Sequence, residues 1–155
     1  MATSRYINAL GGKVHVYDPY KIKVNKNYKK HSNIKLFLKQ IDVLSIHIHY
    51  TLENHKFINK KLLSYMKKNI LIVNTSRGEV VNESDLLIFL KKNKDAKYST
   101  DVLSAEINFK SNILFKYSLK YKNKLFITPH VGGMTYDARK IAYNKATDDL
   151  IRYFK

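Results

Sequence analysis

Three short stretches carry side chains that could do chemistry together. In Thr128-Pro129-His130-Val131-Gly132-Gly133 a histidine follows the apolar run Leu125-Phe126-Ile127 and precedes a helical pattern starting near Thr135. Strand, tight loop and helix in that order hold an imidazole at a strand's carboxyl end, where open α/β sheets bind ligands. In Val73-Asn74-Thr75-Ser76-Arg77-Gly78 an arginine ends the buried strand pattern that begins at Ile70. Its planar fork suits a carboxylate. In Asp101-Val102-Leu103-Ser104-Ala105-Glu106 two acids close the strand pattern 98–102. Strand ends on one edge of a parallel sheet converge in space. Arg77, Glu106 and His130 can therefore supply a carboxylate clamp, an acid that orients a base, and a general acid/base. A carboxylate beside an imidazole favours the protonated ring. Reducing a 2-keto acid, or oxidising a 2-hydroxy acid, by hydride transfer needs this set of groups. Each residue also has a plainer reading, as a loop histidine or a turn arginine.

The elements that must position these residues follow from periodicity. Residues 3–10 form a short helix ended by Gly11-Gly12. Residues 13–17 alternate as a strand that closes at Asp18-Pro19. An acid ending the second strand of a dinucleotide fold can bond the adenosine ribose, and the same pair also makes an Asx-Pro turn. Lysines 21, 23, 26, 29 and 30 imply a solvated loop or edge strand. Lys21 would suit a 2′-phosphate, but the Asp18 charge opposes one. Ser32 or Asn33 caps a helix through Ile34 and Leu38. Strands are expected at 43–48, 70–74, 98–102 and 125–128, with helices at 59–67 and from 82. Residues 107–124 read as a loop with one helical turn near 113–117. Ala138, Ala142, Ala146, Leu150 and Tyr153, with Ile141, give the last helix an apolar face. Alternating strands and helices imply α/β architecture: a single, mostly parallel sheet with helices on both faces.

Composition narrows the function classes. The 155 residues are 45% hydrophobic, enough for one domain with a core. There are no cysteines, so thiolate chemistry and disulfides are excluded, which fits a cytoplasmic location. The aliphatic run Ile70–Val73 is too short to span a bilayer, so no membrane partner is expected. The net charge is +17, yet only Arg5, Arg77, Arg139 and Arg152 among the 29 basic residues are arginines. Phosphate-reading surfaces favour arginine, so no specific nucleic-acid partner is expected. His47 and His49 share a strand face without a third ligand, so no metal site is expected.

The stretches Tyr17-Asp18-Pro19, Val73–Gly78, Asp101–Glu106 and Thr128–Gly133 occur in an order that resembles the D-isomer-specific 2-hydroxyacid dehydrogenases, which include phosphoglycerate dehydrogenases. The resemblance implies an NAD-dependent oxidoreductase acting on a 2-hydroxy or 2-keto acid. It implies His130 as acid/base, Glu106 as its partner and Arg77 on the substrate carboxylate. Asp18 would bind the adenosine ribose and Asp101 the nicotinamide side. Thr75, Ser76, Gly132 and Gly133, beside Arg77 and His130, would line the NAD cleft. His49 stands where the family often has proline. The family's NAD domain opens with a strand and a Gly-x-Gly-x-x-Gly loop, and Met1 falls where the following helix begins. The expectation is an incomplete Rossmann-like, partial NAD-binding domain over residues 1–155, with the substrate-binding domain absent. Such a chain would act with a missing N-terminal half in trans or as a homodimer; the alternative is a non-catalytic remnant.

Overall fold

Six strands and six α-helices, with three short 3-10 helices between them, run along residues 2–154, the residues that the computed structural model describes, and from α2 onward strand and α-helix alternate. Helix α1 (Ala2–Ala9) leads through Gly11, in the left-handed region at φ +83°, to strand β1 (His15–Tyr17). Strand β2 (Lys29–His31) pairs with β1 in parallel, Tyr17 against His31. Helix α2 (Ile34–Gln40) is capped by Asn33, whose side chain accepts from the Leu36 N–H. Strand β3 (Val43–Ile46), helix α3 (Lys60–Leu63), strand β4 (Leu71–Asn74), helix α4 (Glu83–Lys92) and strand β5 (Lys97–Thr100) follow. Helix α5 (Ile113–Lys120), strand β6 (Leu125–Ile127) and helix α6 (Tyr136–Tyr153) complete the order.

The architecture is α/β with parallel pairing throughout. Strands β3-β4-β5-β6 form one sheet, while β1 and β2 form a second. The sequence implied one sheet containing residues 13–17. The difference is physical: β1 pairs on one side only, and no described strand joins it to β3. Register aligns the carboxyl ends of the larger sheet. Ile46 faces Asn74, Asn74 faces Thr100, and Thr100 faces Ile127. Every loop that leaves these strands therefore starts from one edge.

The core lies around the larger sheet. Ile70, Ile72, Leu86, Leu90 and Leu114 have no exposed surface, and Leu38, Leu62, Leu63 and Met66 pack with them. Burying one such side chain contributes roughly 1.5–3 kcal/mol, so the sheet and α4 hold the scaffold of the edge. Two readings change here. Residues 113–120 are a full helix rather than one turn, because Asn112 caps them and Leu114 buries completely. Helix α6 forms behind its Thr135 cap, but none of its residues is buried. Its apolar residues Ile141 and Leu150 stay exposed.

Candidate active site at the carboxyl edge of the larger sheet

Asp101, one residue past β5, ties down the histidine loop. Its carboxylate accepts from the Thr128 hydroxyl, from Val131 N–H at 3.0 Å and from Gly132 N–H at 2.9 Å. Burial opposes its ionisation, but these donors, with the nearby His130, outweigh that and hold its pKa below the usual carboxylate value. A Cβ on Gly132 would stand 3.1 Å from the Asp101 carboxylate, so glycine permits the close approach. His130 itself has φ +52°, a left-handed conformation uncommon for residues other than glycine.

This loop delivers His130 to Glu106. The Nδ1 atom lies 2.8 Å from a Glu106 carboxylate oxygen, with both side chains a little under half exposed. The other Glu106 oxygen accepts from Leu103 N–H at 3.3 Å. With Nδ1 engaged, Nε2 is the ring nitrogen available for a substrate. Glu106 follows Ala105, also left-handed at φ +77°, at the start of a 3-10 turn over 106–111.

The arginine turn packs against the same loop. Asn74, fully buried, donates to the Arg77 carbonyl at 2.9 Å and accepts from Ser76 N–H at 3.0 Å. Ser76 donates its hydroxyl to the Ile48 carbonyl. At Gly78 a Cβ would sit 2.0 Å from the Leu103 carbonyl carbon, so only glycine lets the two turns touch. Arg77 is exposed, and its guanidinium reaches the Ser76 carbonyl at 2.7 Å rather than Glu106 or His130. Thr75 and Gly133 are exposed at this edge.

The sequence reasoning missed the supports. Glu83, 8% exposed in the first turn of α4, accepts from Ser104 N–H at 2.8 Å and from the Asn112 side-chain amide at 2.6 Å. It anchors both ends of the loop that carries Glu106. Thr100, also buried, donates to the Val102 carbonyl at 2.6 Å. Its type inside a strand gave no functional signal. Asp18 stands apart, on the smaller sheet. One of its oxygens accepts from Tyr20 N–H at 3.0 Å and Lys21 N–H at 3.2 Å, the Asx turn that Asp18-Pro19 also allowed.

Residues 1–132 match the family model described as D-isomer specific 2-hydroxyacid dehydrogenase, NAD binding domain. The chain belongs to the D-isomer specific 2-hydroxyacid dehydrogenase family. It is 33% identical over 155 residues to a hydroxypyruvate reductase from Blautia hydrogenotrophica, covering 99% of this chain and 47% of that protein. The NAD-complexed D-isomer specific 2-hydroxyacid dehydrogenase from Lactobacillus delbrueckii superposes with a TM-score of 0.79 at 25% identity, over 96% of this chain and 48% of that one. A D-2-hydroxyisocaproate dehydrogenase shares the fold at a TM-score of 0.87 and 22% identity, over 99% of this chain and 49% of the other. The chain thus spans about half the length of these relatives. The family's NAD-binding domain is Rossmann-like, and among the described residues no helix is long and apolar enough to cross a membrane.

Proposed function

We propose that this chain carries the acid/base half of an NAD-dependent D-2-hydroxyacid dehydrogenase. The carrying observation is the 2.8 Å contact between His130 Nδ1 and Glu106, on a loop held by the Asp101 carboxylate. Glu106 orients the imidazole and compensates its positive charge. In the reducing direction, Nε2 donates its proton to the carbonyl oxygen at C2, and that oxygen becomes the hydroxyl. In the oxidising direction, Nε2 takes the proton back. Arg77 turns from the Ser76 carbonyl to grip the substrate carboxylate and so fixes which atom faces His130. NAD, when bound, supplies or accepts the hydride at C2.

The residues fit NAD at its two ends. Asp18 has a second carboxylate oxygen for the adenosine ribose, and Gly133 borders open space where a nicotinamide can lie. Thr75, Ser76 and Gly132 would line the cleft between them, as the family resemblance implies. Asp101 supports the nicotinamide side by pinning the loop. The pyrophosphate fits less well. Backbone N–H groups of a glycine turn at a helix N-terminus hold such phosphates, and no Gly-x-Gly-x-x-Gly occurs in the 155 residues.

The separation of β1-β2 from the larger sheet favours a chain that works with a partner segment. Alone, the 155 residues are expected to bind NAD only weakly in calorimetry and to show no turnover. Mixed with the N-terminal half of the Blautia relative, they are expected to consume NADH with a 2-keto acid and yield the D-2-hydroxy acid. An L product, or no turnover with a correctly assembled complex, sinks the proposal.

A further inference from the structure

Glu106 reaches His130 from a turn that its backbone disfavours. Ala105, the residue before it, has φ +77° and ψ +50°, in the left-handed region. Residues with a Cβ are uncommon there, and glycine is the usual occupant. Such a conformation persists only where its surroundings over-determine it. Ala105 is exposed, so packing does not hold it. The hold must come from the residues on either side.

Glu83 supplies it from both sides. Ser104 N–H, directly before Ala105, donates to one Glu83 oxygen at 2.8 Å. The Asn112 side-chain amide donates to the other at 2.6 Å. Asn112 is fixed in turn, because its oxygen caps α5 by accepting from Leu114 and Phe115 N–H. Glu83 itself is buried, and the helix α4 that carries it is seated by Leu86 and Leu90, both without exposed surface. Inside the loop the remaining bonds are short-range: Asn108 N–H donates to the Ala105 carbonyl at 3.1 Å, and Leu103 N–H donates to Glu106 at 3.3 Å. Such local bonds shape the turn but do not place it against the core. The buried carboxylate does, with one oxygen on each side of the segment that carries Glu106.

We propose that Glu83 is a positioning residue for the acid/base pair: by fixing Ser104 and Asn112 it holds Ala105 in the left-handed turn that aims the Glu106 carboxylate at His130 Nδ1. When Ala105 relaxes to an ordinary conformation, the chain enters Glu106 in a new direction and the carboxylate leaves the imidazole. This role deepens the dehydrogenase reading and rests on it for its effect on turnover, while the geometry of the His130–Glu106 contact can be tested without turnover.

The first arm of the test uses the 155-residue chain. Long-range proton–nitrogen NMR at about pH 9, where imidazoles are neutral, reads which nitrogen of His130 carries the hydrogen. The parent is expected to keep it on Nδ1, the nitrogen that faces Glu106. Glu83→Gln is expected to lose that preference, because one of its two acceptors becomes a donor. Adding Ala105→Gly to it is expected to restore part of the preference, since glycine takes the left-handed turn without strain. Ala105→Val is expected to lose it with Glu83 intact, because a β-branched residue suits that region worst. Position 105 is exposed, so the valine variant decides the matter if Glu83→Gln does not fold. The second arm assembles each chain with the N-terminal half of the Blautia relative. Glu83→Gln and Ala105→Val are expected to lower kcat for a 2-keto acid about tenfold or more, with KM little changed. An unchanged Nδ1 preference in a folded Glu83→Gln or in Ala105→Val, or no gain from glycine in the Glu83→Gln chain, overturns the proposal. An inactive assembled parent whose chain shows the expected NMR pattern would leave the positioning role standing and remove the dehydrogenase reading; full turnover by the valine variant would do the reverse.

Discussion

Replacing Glu83 measures how firmly the Glu106 loop is held. Its carboxylate is acceptor-only and meets two donors, Ser104 N–H at 2.8 Å and the Asn112 amide at 2.6 Å. Asn112 cannot reverse its amide to suit a new partner, because its oxygen already caps α5 by accepting from Leu114 and Phe115 N–H. Glu83→Gln therefore keeps one acceptor and sets its new NH2 against a donor. Hydrogen bonds to charged groups contribute about 1.5–3 kcal/mol each, so the glutamine variant should lose about that much. Glu83→Ala removes both bonds and leaves two buried donors, at a cost of about 3–5 kcal/mol. Urea unfolding of the three proteins gives these differences, and hydrogen exchange should show residues 104–115 loosening first. A glutamine variant within about 0.5 kcal/mol of the parent, the range of ordinary surface changes, would refute the two-donor argument. Equal losses for glutamine and alanine would refute it as well.

Three further outcomes are expected. His31 Nε2 lies 3.0 Å from His15 Nδ1; burial and then Lys29 lower the His15 pKa below the ordinary 6.5 against the opposing charge of Asp42, and burial, then the His15 charge and Lys29, lower that of His31. The folded state then binds fewer protons than the unfolded chain, so stability is present above about pH 6.5 and is lost as pH falls through the lowered values. Urea midpoints across that range check this, and a His15→Gln, His31→Gln double variant should flatten the slope. Leu90→Ala, at a fully buried site, should cost about 2–5 kcal/mol, whereas Leu150→Ala, on the exposed α6, should stay within about 0.5 kcal/mol. Thermal unfolding of the pair tests that contrast. Asp101→Ala removes the acceptor for Thr128, Val131 and Gly132. Exchange of the amides at 131 and 132 should accelerate in it, and unchanged protection would count against the loop's assigned anchor.

Much of the fold was legible because apolar periodicity and caps are local signals. Ile70–Val73 announces a buried strand, and Asn82 and Thr135 cap the helices that follow them. The histidine loop was legible because Pro129 and two glycines surround one imidazole. Strand β2 was only half legible, since Lys29 and Lys30 look solvated while His31 buries against Phe37 and His15. Helix α5 was obscured by its polar neighbours and became clear only with the Asn112 cap. The Glu83–Asn112 contact spans 29 positions, and neither residue type announces a partner at that separation. The division into two sheets could not be read either. Alternation in residues 13–17 shows that a strand forms, not which edge lacks a neighbour.

The central claim is that His130 moves the proton at C2. It is tested most directly by single-turnover NADH oxidation with a 2-keto acid, using this chain assembled with the N-terminal half of the Blautia relative. His130→Ala should slow the chemical step by about 10²–10⁴-fold, the usual contribution of a positioned acid, with NADH affinity little changed. A loss below about tenfold, far under that range, would contradict the claim.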